Sequence, residues 1–146
     1  MNTNPPRMIY WDSSAILSAL LQDKYSEQAV RCANFDLVHL ISTLALAETH
    51  AVVNRLKRER TLADIQAKAA LEVLEQGPWR LMKINPDALQ INKMAAKWPL
   101  RGADLWHLAT AKSLKLEFPE LAMLTFDQRL YSAASGENLA MEIHAT

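Results

Sequence analysis

Met8-Ile9-Tyr10-Trp11 is a run of four apolar residues that stops abruptly at Asp12-Ser13-Ser14. A run this short, without polar alternation, suits a strand buried on both faces and followed by a helix start. Strands buried on both faces belong to parallel sheets covered by helices, which confines the chain to the α/β class. Leu37 to Ile41, Trp79 to Ile84, Leu121 to Thr125 and Ala140 to His144 read as the other strands. Helices are expected over Ala15 to Leu21 and Ser26 to Ala33, from Ser42 or Thr43 to Arg58, and from a capping-box-like Thr61/Asp64 pair to Gln76. Asn85-Pro86-Asp87 supplies cap, first-turn proline and acid for a helix ending before Pro99. Gly102 to Leu116 and Gln128 to Ala134 follow, with Ser135 to Asn138 as a turn. The order predicts a three-layer α/β/α sandwich around a mostly parallel five-stranded sheet.

At 146 residues, half of them hydrophobic and three of them Gly, the chain reads as one domain over residues 7–146, behind a flexible lead-in at 1–6 that carries Pro5-Pro6. The single Cys32 excludes an internal disulfide and a cysteine metal site, which suits a cytoplasmic protein. The apolar run at residues 14–21 is bounded by Asp12 and Asp23 and is far short of the ~20 residues a membrane span needs, so no membrane partner is expected. Sixteen basic and sixteen acidic residues exclude nucleic-acid binding through a global positive field. Local patches stay open: Arg55, Lys57, Arg58 and Arg60 cluster at one helix end, while Arg101, Lys112 and Arg129 stand near acids in sequence. Helix ends also collect cations to complement the dipole.

Asp104 breaks the pattern. Leu100, Leu108 and Ala111 lie four or seven positions away on the same helical face, which should be apolar. No Lys or Arg stands three or four residues from Asp104 within the helix itself, so its partner must come from elsewhere, unless the residue is an N-cap. Glu48 repeats the anomaly in the series Leu44, Glu48, Val52, Leu56, although a small rotation of that helix would make it a surface residue. Asp12 and Asp127 stand where strands end, each a candidate cap and a candidate ligand.

One crevice at the carboxyl edge of the sheet can collect all four acids. Carboxylates a few ångströms apart cannot all stay ionised without a cation, and an all-oxygen set selects Mg²⁺ or Mn²⁺. Such a centre suits phosphodiester hydrolysis. Ser13 and Thr125 offer hydroxyls beside the acids, for bound water and substrate or for local turns. His107 reads as a histidine that orders its helix rather than as a general acid, and His39, His50 and His144 lack ligand spacing, against zinc.

Ile9 to Ala15, Glu48 within Ala45-Leu46-Ala47-Glu48, Gly102-Ala103-Asp104 with His107-Leu108-Ala109, and Thr125-Phe126-Asp127 together resemble the successive motifs of PIN-domain ribonucleases, especially VapC-type toxins, over residues 8–144. The resemblance implies Mg²⁺- or Mn²⁺-dependent cleavage of RNA, homodimerisation and inhibition by a small cognate antitoxin. It assigns Asp12, Glu48, Asp104 and Asp127 to the acidic positions and Ser13 and Thr125 to the hydroxyl positions. Arg55, Arg58, Arg101 and Arg129 are the candidates for substrate contact. Leu105 is bulkier than the residue usual after the third acid. A haloacid-dehalogenase-type phosphatase also opens on a strand ending in Asp, but needs a second Asp where Ser14 stands. A non-enzymatic module of the same fold would lack at least one of the four acids. Trp79, Trp98 and Trp106 are expected on a surface used for the homodimer or for an antitoxin helix.

Overall fold

The computed structural model describes residues 5–142. Its elements are β1 (Met8–Trp11), α1 (Ser13–Leu20), α2 (Ser26–Ala33), β2 (Val38–Ser42), α3 (Thr43–Arg58), α4 (Asp64–Gln76), β3 (Trp79–Met82), α5 (Ala88–Lys97), α6 (Gly102–Glu117), β4 (Leu121–Leu124) and α7 (Gln128–Gly136). The strands are parallel, in the order β3-β2-β1-β4, and β1 pairs Met8 with both Val38 and Leu121.

Because the chain moves from β1 outward to β3 and then crosses back beyond β1 to β4, its crossovers run in opposite directions. A constant right-handed crossover then puts their helices on opposite faces. Two cores follow. Ile9, Trp11 and Ile41 pack with Ala15, Ile16, Ala29, Ala45 and Leu74 from α1 to α4. Tyr10, Leu40 and Met123 pack on the other face with Met94, Leu108, Leu114 and Leu130 from α5 to α7. Alternate residues of β1 thus enter alternate cores, and Ile9, Tyr10 and Trp11 are each no more than 1% exposed. Full burial of each contributes roughly 1.5–3 kcal/mol, which explains why the central strand is wholly apolar.

Four strands stand where five were expected. Ala140 makes one isolated parallel bridge to Met123, and residues 143 and 144 of the expected fifth strand lie outside the described residues, as do residues 1–4 of the lead-in. Several helix starts also shift. Asp87, not Asn85, caps α5, accepting from Leu89 N–H, and Gln66 reaches back to the Ala63 N–H at the start of α4 in place of the Thr61/Asp64 pair. The expected turn from Ser135 is helical through Gly136, against which the Trp98 ring lies so closely that a Cβ there would come within 2.3 Å of it. Trp98 donates to Glu137 inside the domain, whereas Trp79 packs edge-on against Trp11 and also lines a groove between α3, α4 and β3. Trp106 is half-buried, and neither its ring N–H nor the buried one of Trp79 has a hydrogen-bond partner among the described residues.

Candidate active site

Parallel strands bring all their carboxyl ends to one edge, and the topology reverses direction at β1, the place where ligand crevices open in such sheets. Asp12 follows β1, α3 begins directly after β2, and Thr125 to Asp127 follow β4.

Asp12 is 2% exposed and caps α1: its Oδ1 accepts from Ala15 N–H at 2.9 Å and from the Ser14 hydroxyl at 2.7 Å. Its Oδ2 accepts from the Thr125 hydroxyl at 2.5 Å. Thr125 and Ser14 in turn accept from the Asp127 and Phe126 N–H groups, so the two strand-end loops are tied through the Asp12 carboxylate. Burial still raises the Asp12 pKa against these hydrogen bonds. The hydroxyl in this network is that of Ser14; Ser13 makes no side-chain hydrogen bond among the described residues. A residue two past a capping Asp can reach back to its carboxylate, and that spacing was the available signal.

Asp104 is not a cap. Helix α6 starts at Gly102 with Arg101 in the capping position, so Asp104 is its third residue, half-buried and with no hydrogen bond to its carboxylate among the described residues. Burial raises its pKa most, the negative charges of Asp127 and Glu48 raise it further, and His107 and Arg101 oppose them. Asp104 therefore stands in the field of two other acids.

Glu48 lies beside the buried line of α3 rather than on it. Ala45, Thr49 and Val53 face the core, and the series Leu44, Glu48, Val52, Leu56 is half-buried, one residue round from the face read in the sequence. The Glu48 side chain is 30% exposed, and its Oε1 meets His107 Nε2 at 2.7 Å. His107 is buried, with Nδ1 2.6 Å from the Tyr10 hydroxyl. Asp127 is exposed and caps α7, accepting from Leu130 N–H at 2.9 Å through Oδ1. His39 is held between Trp11 Nε1 and the Phe35 carbonyl, a structural position.

The donors fit a hard divalent ion by their chemistry. Both Asp104 oxygens, Glu48 Oε2 and Asp127 Oδ2 are uncommitted within the described residues. Among those residues no three His, Cys, Asp or Glu side chains stand close enough to hold an ion as a ready-made cluster.

Of the four arginines, all exposed, Arg101 opens α6 and Arg129 follows the Asp127 cap by two residues. Arg55 and Arg58 lie on α3 roughly 10 and 15 Å along the axis from Glu48, at 1.5 Å per residue.

The PIN domain family profile matches residues 9–136, a span that holds all four acids. The chain belongs to the PIN domain family. The FitAcB structure from Neisseria gonorrhoeae is similar, with a TM-score of 0.61 and 22% identity over 88% of this chain and 94% of that one. VapC20 of Mycobacterium tuberculosis, described as a sarcin–ricin loop cleaving toxin, superposes with a TM-score of 0.57 and 19% identity over 86% of this PIN domain and 94% of that chain. VapBC2 of Rickettsia felis, bound to a fragment of its promoter DNA, gives 0.55 and 14% over 80% and 97%. At these identities the likeness is one of fold. No curated protein matches this PIN domain significantly by sequence. No helix among its described residues is long and apolar enough to cross a membrane.

Proposed function

We propose that this PIN domain is a divalent-metal-dependent endoribonuclease, the toxin of a toxin–antitoxin pair. The observation that carries the proposal is Asp104: half-buried, unpartnered, its pKa raised by burial and by Asp127 and Glu48. Arg101 and His107 compensate this acid only in part, and Mg²⁺ or Mn²⁺ held by Asp12, Glu48, Asp104 and Asp127 would supply the remaining positive charge. Bound there, the ion's chemistry is to lower the pKa of a water and polarise a phosphate oxygen. The protein's own part is positional. Thr125 and Ser14 hold the Asp12 carboxylate in one orientation, His107 holds one oxygen of Glu48, and the α7 cap holds one oxygen of Asp127. Arg101 at the start of α6 and Arg129 two residues past the Asp127 cap are the phosphate contacts this reading proposes.

RNA as substrate and an antitoxin as partner are supported by fold likeness to toxins of this type. A groove of about 790 Å³ between α3, α4 and β3, lined by Ile41, Leu46, Leu71, Leu74 and Leu81, suits an amphipathic helix of the antitoxin. We also take the domain to act as a homodimer, which light scattering at micromolar concentration tests directly.

The deciding experiment incubates the purified protein with structured RNAs in Mn²⁺ or in chelator, alongside Asp104→Asn. Cleavage that needs Mn²⁺ and is lost in the variant supports the proposal. Cleavage unaffected by chelator, or by the substitution, removes it.

A further inference from the structure

Tyr10 is a phenol buried in the middle of the central strand, and its hydroxyl reaches no solvent. Alternation along β1 places Tyr10 on the same face as Asp12. That face turns toward α6, where His107 receives the hydroxyl at 2.6 Å. The other nitrogen of the same ring touches Glu48 at 2.7 Å, so three elements, β1, α6 and α3, are linked through one imidazole.

With His107 taken as neutral and Glu48 as ionised, hydrogen counting assigns the roles in this chain. An ionised carboxylate only accepts, so Nε2 must carry the hydrogen that meets Glu48. A neutral imidazole has one donor and one acceptor, which leaves Nδ1 as the acceptor. The Tyr10 O–H must then donate. Burial, chiefly, raises the Tyr10 pKa, so the phenol keeps its proton at any ordinary pH. A phenylalanine at this position would fill the same core volume but leave Nδ1 without a donor.

We propose that Tyr10 is a positioning residue that fixes His107 as its Nε2–H tautomer and, through that N–H, holds the Glu48 carboxylate in one orientation at the mouth of the site. The importance of Glu48 to metal binding rests on the function proposed above; the tautomer does not. Glu48 lies at the margin of the buried face of α3, 30% exposed, so its own helix does little to fix it. Without the His107 contact it has the rotamer freedom of a surface glutamate. Hydrogen bonds to metal-binding side chains are worth about 10- to 100-fold in affinity elsewhere, and the lower figure is expected here because Tyr10 acts one bond further away.

The test begins on the metal-free parent protein. Long-range ¹H–¹⁵N correlation spectra of His107 should show a protonated Nε2 and an unprotonated Nδ1. Nδ1–H, or two protonated nitrogens, overturns the proposal. In Tyr10→Phe, a folded protein by its amide spectrum should show exchange between the two tautomers and a roughly tenfold weaker calorimetric Kd for Mn²⁺. His107→Gln, whose amide can still donate to Glu48, should bind Mn²⁺ more tightly than His107→Phe. A Tyr10→Phe protein that keeps the parent tautomer and Mn²⁺ affinity overturns the proposal. If Tyr10→Phe fails to fold, the parent spectrum and the two His107 variants still decide it. A parent that binds no Mn²⁺ ends the metal-site reading, while the tautomer spectra still judge Tyr10.

Discussion

Asp104 and Glu137 are both carboxylates withdrawn from water near the ends of α6 and α7, and their surroundings differ in one respect. Glu137 is 8% exposed and is met by Lys97 at 2.7 Å, by Lys112 at 3.1 Å and by the Trp98 N–H at 3.0 Å. Burial pushes its pKa up, and these partners outweigh burial and bring it below the usual glutamate value. Asp104 has no hydrogen bond to its carboxylate among the described residues, and burial, then the charges of Asp127 and Glu48, raise its pKa. A carboxylate that only has to join three helices brings its own cations. One that stands among like charges has no such set of partners, and on the function proposed above a metal ion is what would compensate it.

The largest expected effect tests the functional half. With Mn²⁺ at a hundredfold over its Kd, binding to the native state stabilises it by about 2.7 kcal/mol, or roughly 5–10 °C for a chain of this size. Asp104→Asn should lose that shift together with a hundredfold or more of the cleavage rate, since a metal's Lewis acidity contributes several kcal/mol to the transition state. The metal-free variant should melt no lower than the parent, because a repelled charge has gone. A metal-free Tm several degrees below the parent would mean that Asp104 is structural after all.

Glu137→Gln probes the other half and should do the reverse. It loses hydrogen bonds strengthened by charge, worth about 2 kcal/mol together after solvent screening of the exposed Lys97, so Tm falls by roughly 4–8 °C. Mn²⁺ affinity and cleavage should be unchanged. A variant that also lost metal binding would show that the two regions are coupled through α6.

Titration sharpens the contrast because the signs oppose. The raised pKa of Asp104 makes its contribution most favourable below the unfolded carboxylate value of about 4, and that contribution is lost as pH rises through the folded value. The lowered pKa of Glu137 gives stability that is full above its unfolded value and is lost as pH falls through the folded one. In metal-free melting curves from pH 3 to 7, Asp104→Asn should lessen the decline on the neutral side and Glu137→Gln the decline on the acid side. Shifts of like sign in both variants would contradict this.

The smallest effect concerns the glycines next to the two acids. A Cβ at Gly102 would meet nothing within 4 Å, so Gly102→Ala should stabilise the start of α6 by about 0.5–1 kcal/mol. Gly136→Ala should instead destabilise, because Trp98 occupies the space. A loss of cleavage in a stabilised Gly102→Ala protein would show that the substrate passes over that backbone.

Local sequence determined a good deal. The unbroken apolar runs specified parallel strands, because a strand without polar alternation can be satisfied only by burial on both faces. Asp12, Glu48, Asp104 and Asp127 stood out as acids at strand ends or within apolar stretches, and the motifs around them carried the family resemblance. Contacts between distant segments decided the rest. Among the described residues Ala140 makes a single bridge to Met123 where its apolar character suggested the start of a fifth strand. The rotation of α3 that puts Glu48 at the margin of its face, and the ring of His107 that reaches it there, depend on how three elements pack. Ser14 rather than Ser13 turns to Asp12 because the loop after β4 docks on it. Trp79 and Trp98, surface candidates by residue type, found an edge-on ring and a bare glycine to pack against inside the domain. Periodicity reports which residues prefer to leave water, but a hydrogen bond spanning 97 residues, as between Tyr10 and His107, exists only once the backbone has brought both ends together.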